Sequence, residues 1–320
     1  MRIYKNILSL SPWLEVIVKS FYWKSKFIYN FLSSKKKSRS AIQKNERLLN
    51  CDFEHIKEAL SSLNVRCGGI MIVHSSMTAL RFTGLTPTQI CEELINFLGP
   101  KGTLAMPAFP LFKEEPVGLD RMKNNICKQR LVYDVRHTRT WTGALPKALM
   151  NKPGAIRSRH PLNTMVAIGP HASRMMANNI EGSLPMPCGP QSSWKFCADR
   201  DATIVCLGVD TSHSLTMIHV AEDSWSQYWP ISNWYRERLF HIIDDNFKKD
   251  LKVLERHPRW SINYAERTLQ KDLIRYGIIK VKEIGNIRIE TCSSAKLIDY
   301  LIGKRKKAYP YWIPFWDKLK

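Results

Sequence analysis

The stretch from Ile70 to Pro107 most constrains what this chain can fold into. Ile70-Met71-Ile72-Val73 is a short, wholly apolar run that delivers His74-Ser75-Ser76. Thr86-Pro87 then opens a helix with Thr as its cap, and Ile90, Leu94, Ile95 and Leu98 recur at helical spacing. Gly99-Pro100 ends that helix, and Gly102-Thr103-Leu104-Ala105-Met106-Pro107 reads as a second short strand. A strand without a polar face needs cover on both sides, and strand–helix–strand units of this length build parallel sheets through right-handed crossovers. Thr203-Ile204-Val205-Cys206-Leu207-Gly208-Val209 is the clearest further buried strand, and Met165–Gly169 is another. Helices are expected over 51–65, 145–150 and 171–177. The segment 113–142 reads as irregular, and 234–290 as mixed α+β material.

Charge divides the chain more sharply than apolarity does. The formal net charge of the 320 residues is +21. Residues 1–45 hold ten Lys or Arg against the single acid Glu15, and residues 303–320 hold six against Asp317. The ends therefore carry +9 and +5, which leaves +7 for residues 46–302. We read three parts: a basic, apolar N-terminal extension over 1–45, a body over 46–302, and a basic aromatic tail over 303–320. In the extension, Ser11-Pro12 starts a helix. Trp13, Leu14, Ile17, Phe21, Ile28 and Phe31 give it a broad apolar face, and Glu15, Lys19 and Lys26 a narrow polar stripe. Such a helix is expected to bury its apolar side against the body, a partner or a lipid interface. Ser33-Ser34-Lys35-Lys36-Lys37-Ser38-Arg39-Ser40 reads as a linker. No run approaches the roughly 20 apolar residues of a membrane span, and Glu15 and Lys19 interrupt anything like a signal peptide. The eight cysteines show no C-x-x-C spacing, so neither a zinc site nor a disulfide framework is expected, and reduced thiols imply a cytoplasmic setting.

Three short segments carry the chemistry. His219 and Glu222, three apart near a helix start, share a face, and a carboxylate beside an imidazole suits a general base near neutral pH. His160 lies in Arg157-Ser158-Arg159-His160-Pro161, a loop held by Pro153-Gly154 and Pro161. His74-Ser75-Ser76 offers hydroxyls and backbone amides to an anion at a strand end. It lacks the glycines and lysine of a phosphate-binding Walker loop, and no G-x-S-x-G nucleophile elbow occurs. No third ligand accompanies the histidines, so no metal is expected.

In order and spacing these segments resemble the aminoglycoside 3-N-acetyltransferase family over roughly residues 47–300. Val73 to Gly84 is similar to that family's H-S-S-L-R-x-x-G segment, departing in detail at Met77-Thr78-Ala79-Leu80-Arg81. Gly102-Thr103-Leu104-x-Met106-Pro107 resembles its G-T-L-x-M-P strand. Tyr133-Asp134, Thr142-Gly143-Ala144-Leu145-Pro146, Pro153-Gly154-Ala155-x-Arg157-Ser158-x-His160-Pro161, Gly169-Pro170-His171-Ala172, Ser192-Ser193-Trp194, Leu207-Gly208-Val209 and Thr216-x-x-His219-x-x-Glu222 follow in family order. The resemblance implies an α/β fold with a mostly parallel central sheet flanked by helices. It also implies transfer of acetyl from acetyl-CoA to an amine of an aminoglycoside or amino sugar. It places acetyl-CoA near His74, Ser75, Ser76, Thr103 and Ser158, and catalysis at His160, His219 and Glu222. His160 and His219 are expected to share one site, with direct transfer rather than an acyl-cysteine.

The acceptor is where this sequence departs. Between Phe112 and Thr142, where the family shapes its acceptor pocket, seven Lys or Arg face four acids. That is a poor trap for a polycation and fits an amino sugar of surface-polysaccharide synthesis better. The apolar N-terminal helix and the aromatic tail are expected to hold the protein at the inner face of a membrane. Two other functions compete with this one: acyl transfer to a non-sugar amine, and a non-enzymatic role in binding membrane or nucleic acid through the basic ends. No recognisable nucleic-acid module supports the last.

Overall fold

A computed structural model describes residues 11–24, 51–116, 118–122, 128–212 and 214–313. The linker expected at 33–40 and the aromatic residues from Pro314 onward lie outside them. Seven of the described strands form one sheet: β1 (Ile70–Ser75), β2 (Thr103–Pro107), β4 (Ile156–Arg157), β5 (Met165–Ile168), β6 (Thr203–Leu207), β9 (Ile279–Ile284) and β10 (Ile287–Ser293). Their order is β4-β5-β2-β1-β6-β10-β9. At the centre, β2, β1 and β6 run parallel, with Ile72 between Ala105 and Ile204. Toward both edges the pairings turn antiparallel.

Alternation explains the two layers around this sheet. Ile70, Ile72, Ala105, Ala167 and Ile204 project into one core, closed by helices Ser193–Ala198, Glu266–Arg275 and Ser294–Lys304. Met71, Val73, Leu104, Met106, Val166 and Val205 project into the other, closed by Phe53–Ser62, Pro87–Leu98 and Ala144–Met150. The helix Pro87–Leu98 opens as its sequence requires: Thr86 accepts from the Gln89 amide, and the Gln89 side chain returns a bond to the Thr86 amide. Gly208, at φ +69°, ends β6 where a Cβ would stand 2.2 Å from that of Ala79. Only glycine lets β6 pass this close to the turn that follows Ser75 and Ser76.

A second sheet, β3 (Arg130–Asp134), β7 (Tyr235–Asp244) and β8 (Phe247–Arg256), pairs β3 with β7 in parallel and β7 with β8 as a hairpin. The strand β3 falls in the stretch read as irregular. Its alternation is two residues long, with Leu131 and Tyr133 buried and Val132 exposed, and β7 supplies what so short a pattern lacks. An aromatic cluster of Trp229, Trp234, Trp260 and Tyr311 packs at the base of the hairpin.

The tail expected from residue 303 does not stand apart as far as Ile313. Helix Ser294–Lys304 runs two residues into it, and Tyr311 is buried between Trp229, Trp234 and Tyr264. Its ring is apolar enough to join the cluster, and its hydroxyl finds polar partners. The helix Pro12–Lys24 also lies on the body, against the turn Pro258–Asn263.

Candidate active site

A pocket of about 380 Å³ opens between the two sheets. Its walls come from the loops after β2 (Phe109, Pro110, Phe112), from Trp141 and Leu162, from the turn carrying His219, Glu222 and Asp223, and from the end of β8 at Glu255 and Arg256.

The turn forms because Thr216–Ile218 is a tight helical turn that runs directly into helix His219–Asp223. Met217, Ile218, Val220 and Ala221 anchor it in the core, which leaves His219 and Glu222 on the pocket side. Nδ1 of His219 lies 3.1 Å from both carboxylate oxygens of Glu222. Glu222 is buried, and its Oε1 accepts from the Tyr311 hydroxyl at 2.8 Å. Arg256, from the opposite sheet, brings Nη1 to 2.6 Å from His219 Nδ1 and 3.4 Å from Glu222 Oε2, and it also bonds Tyr311. The partners of His219 thus gather on Nδ1. Among the described residues Nε2 makes no hydrogen bond, and it is the ring nitrogen left for the pocket.

The electrostatics follow from this packing. Burial pushes the His219 imidazole below its ordinary value, Arg256 pushes it further, and Glu222 opposes both. Burial alone would raise the Glu222 carboxyl; His219, Arg256 and the bonds from His219 and Tyr311 outweigh it and hold it low. The pair at neutral pH is therefore a neutral imidazole beside a carboxylate. Asp223 differs: burial, then the neighbouring Glu222 charge, raise it to about 7 despite bonds from Tyr235 and the Cys188 amide.

Among the described residues no hydrogen bond joins His160 to this pair. His160 is buried, and its Nδ1 stands 3.0 Å from the Leu162 carbonyl and its Nε2 3.4 Å from that of Pro185. Burial lowers it to about 4. Its neighbours in the motif are structural as well. Arg157 donates to the carbonyls of Val135, Thr138 and Ala108, and Ser158 donates to Asn179 while accepting from the His160 amide. Thr103 is fully buried and accepts from the His171 amide. Thr103 and Ser158 thus engage their hydroxyls with partners inside the fold. His74 is buried with Nε2 unpaired, 6.4 Å from the Trp194 ring, whose Nε1 donates to Asn163 at the pocket wall. Ser75 and Ser76 are half-buried, and neither hydroxyl is engaged among the described residues. Those described residues hold no cluster of three or more His, Cys, Asp or Glu able to bind a metal.

Arg256 and Tyr311 complete the site, and sequence reading missed both. Arg256 is 34 residues from Glu222, and Tyr311 is 89. A signal existed for the charged wall behind them. Arg236 and Arg238 alternate in register with buried Phe240 and Ile242, and Glu255 with buried Leu251 and Val253. Charges at inward positions of a strand need partners. Here Glu255 accepts from Arg236 at 2.7 Å and from Arg238 and Arg121 at 3.0 Å, and Glu115 accepts from Arg238 at 2.9 Å.

Comparison with known proteins places this architecture. The fold is that of the aminoglycoside acetyltransferases. It superposes on AAC-IIIb in binary complex with CoASH with a TM-score of 0.67, at 18% identity, over 82% of this chain and 99% of that one. It superposes on AAC(3)-IVa apoenzyme with a TM-score of 0.62, at 21% identity, over 84% and 94%. The family described as aminoglycoside 3-N-acetyltransferase matches residues 72–304, and the chain belongs to it. Aminoglycoside N(3)-acetyltransferase IX of Micromonospora chalcea is 30% identical over 175 residues, 52% of this chain and 60% of that protein. The aminoglycoside N(3)-acetyltransferase VIII of Streptomyces fradiae is 28% identical over 51% of this chain and 57% of its own length. The matched stretch thus spans about three fifths of these two relatives.

Proposed function

We propose that this protein transfers acetyl from acetyl-CoA directly to an amine of an amino sugar, with His219 as general base and Glu222 as its partner. The observation that carries the reading is the His219–Glu222 pair: Nδ1 lies against the carboxylate, and both residues line one pocket. An ammonium has no lone pair, so it must lose a proton before attacking a thioester, and the tetrahedral adduct must lose a second. A neutral imidazole accepts a proton, and the Glu222 carboxylate stabilises the imidazolium that results. Coenzyme A leaves as thiol.

The Ser75 and Ser76 hydroxyls, free of protein partners among the described residues, are the groups we assign to acetyl-CoA and to the developing oxyanion. Family membership and the likeness to the CoASH complex support that donor. Direct transfer is supported by the state of Cys188, whose amide bonds Asp223 in the pocket wall. Its thiol is buried and pushed well above its ordinary value by that burial, so it is not a thiolate nucleophile.

The acceptor follows from the charges. Glu115 and Glu255 line the pocket but are engaged by Arg121, Arg236 and Arg238, and Arg256 stands over Glu222. Little free negative charge remains for a polycation. Trp141 and Phe109, with centroids 5.6 Å apart, offer apolar ring faces to a pyranose. A lightly charged amino sugar fits this wall better than a polycationic antibiotic. Acetyl-CoA places the reaction in the cytoplasm.

The test is release of coenzyme A thiol with two acceptor panels, aminoglycosides and amino-sugar nucleotides, each repeated with His219→Ala. Release with the amino-sugar panel that disappears in the variant is expected. Release only with aminoglycosides would overturn the acceptor class, and release with either panel that persists in the variant would overturn His219 as base.

A further inference from the structure

The helix Pro12–Lys24 is docked the wrong way round for a soluble protein. Glu15 and Lys19 face the body, and Leu14, Ile17, Val18 and Phe21 face outward. Glu15 is fully buried. Its carboxylate accepts from the backbone amides of Arg267 at 3.0 Å and Thr268 at 3.2 Å, and from the side chains of both. Those amides belong to the first turn of helix Glu266–Arg275, whose own cap residue, Ala265, has no side chain to offer. Glu15 therefore caps that helix from outside. Lys19, one turn on, donates to the Tyr264 carbonyl at 2.6 Å and to Glu266 at 2.8 Å.

Those bonds fix the rotation of the helix about its axis, and the rotation decides what solvent meets. Leu14, Ile17, Val18 and Phe21 fall at i, i+3, i+4 and i+7, one continuous stripe, and are 36, 48, 42 and 67% exposed. A surface helix in water turns the opposite face outward. Capping by Glu15 keeps the stripe presented, so this is a built surface rather than a loose segment. At 13 residues the helix is about 20 Å long, and no described helix is long and apolar enough to cross a membrane, so it is suited to lie on an apolar layer.

We infer that this face docks the protein onto an anionic lipid bilayer. Charge chooses the occupant. Glu15 is the only acid among residues 1–45 and is turned inward, so every other charge in that segment is cationic, ten Lys or Arg in all. A negative headgroup layer complements that, whereas a second copy of a +21 chain would set one basic end against another. The geometry also serves the pocket. The turn that receives the helix, Pro258–Asn263, supplies Pro258 and Ser261 to the pocket wall, and Trp13 meets Trp312, the neighbour of Tyr311, at 5.8 Å. A bilayer on the stripe lies beside the acceptor pocket.

The experiment is flotation of the full chain with phosphatidylcholine vesicles and with phosphatidylcholine–phosphatidylglycerol vesicles, for the native protein and for an Ile17→Glu/Phe21→Glu variant. Native protein is expected to float with the anionic vesicles, and the variant to lose at least tenfold in bound fraction while melting at an unchanged temperature. Ile17→Ser/Phe21→Ser serves if the glutamates disturb folding. Native protein that stays at the bottom with anionic vesicles, or a variant that floats equally, would overturn the inference. So would a native dimer, seen by sedimentation, that the variant turns into a monomer. Flotation reads no catalysis, so its failure is separate from any failure of the acetyl-transfer proposal.

Discussion

His160 is buried and His219 half-buried, and desolvation lowers both imidazoles. One faces two backbone carbonyls; the other faces a carboxylate, a guanidinium and a pocket. The difference teaches what a reactive histidine needs. Being buried in a fixed loop makes an imidazole neutral, but a base also needs one free nitrogen and an anion to receive its new charge. His160 has neither, and His219 has both.

The largest effect should come from exchanging their fates. His219→Ala is expected to lower kcat by roughly 10²–10⁴ with little change in melting temperature. His160→Ala is expected to keep most of kcat per folded molecule and to lose about 1–3 kcal/mol of stability, because the Pro185 carbonyl and the Leu162 amide lose their partner. Steady-state kinetics beside a urea titration measures both, and a kcat loss in His160→Ala matching that in His219→Ala would break the comparison.

A smaller effect sharpens what distinguishes His219. Arg256 Nη1 and Glu222 compete for the same Nδ1. Donation from Nδ1 to Glu222 leaves Nε2 a lone pair, whereas acceptance from Arg256 would put the proton on Nε2. His219 acts only when neutral, so activity falls as pH drops through its depressed pKa. Arg256→Gln removes one lowering influence and raises that pKa. The acid limb of the kcat/KM profile should move to higher pH, with the rate near pH 8 little reduced. A limb that stays in place would show that Arg256 does not act through the imidazole.

The smallest effects are in stability. The unfolded chain holds His160 near 6.5, and the fold holds it near 4. Between those values the unfolded state binds more protons, so His160 favours the fold fully above pH 6.5, and that contribution is lost as pH falls toward 4. His160→Gln should flatten the decline in urea midpoint over this window. Asp223 runs the other way. Its carboxyl is raised to about 7, so its cost appears as pH rises from 4 to 7, and Asp223→Asn should gain more stability at pH 8 than at pH 5. A gain equal at both pH values would remove Asp223 from the titration.

The centre of the fold was legible in the sequence because it rests on local patterns. The apolar runs at 70–73 and 203–207, the Thr86 cap and the Gly99-Pro100 stop each specify structure within a few residues. The pair His219–Glu222 was legible for the same reason, since three residues on a helix is a spatial statement. Arg256 and Tyr311 were not, because strands and segments far apart in sequence bring them in. The N-terminal helix was read as an element, but its orientation was not, since a polar stripe normally faces water and here it meets an uncapped helix.

The sequence by itself thus determined that the apolar runs at 70–73 and 203–207 become buried strands, that Pro87–Leu98 becomes a helix, and that a histidine and a glutamate share one turn. Those properties depend on backbone periodicity, which a local pattern carries. Only the tertiary structure decided which histidine is spent on carbonyls, which arginine stands over the active pair, and which side of the first helix looks outward. Those depend on partners brought together by packing, and burial, which sets the cost of every unpaired charge, exists only once the chain has closed around them.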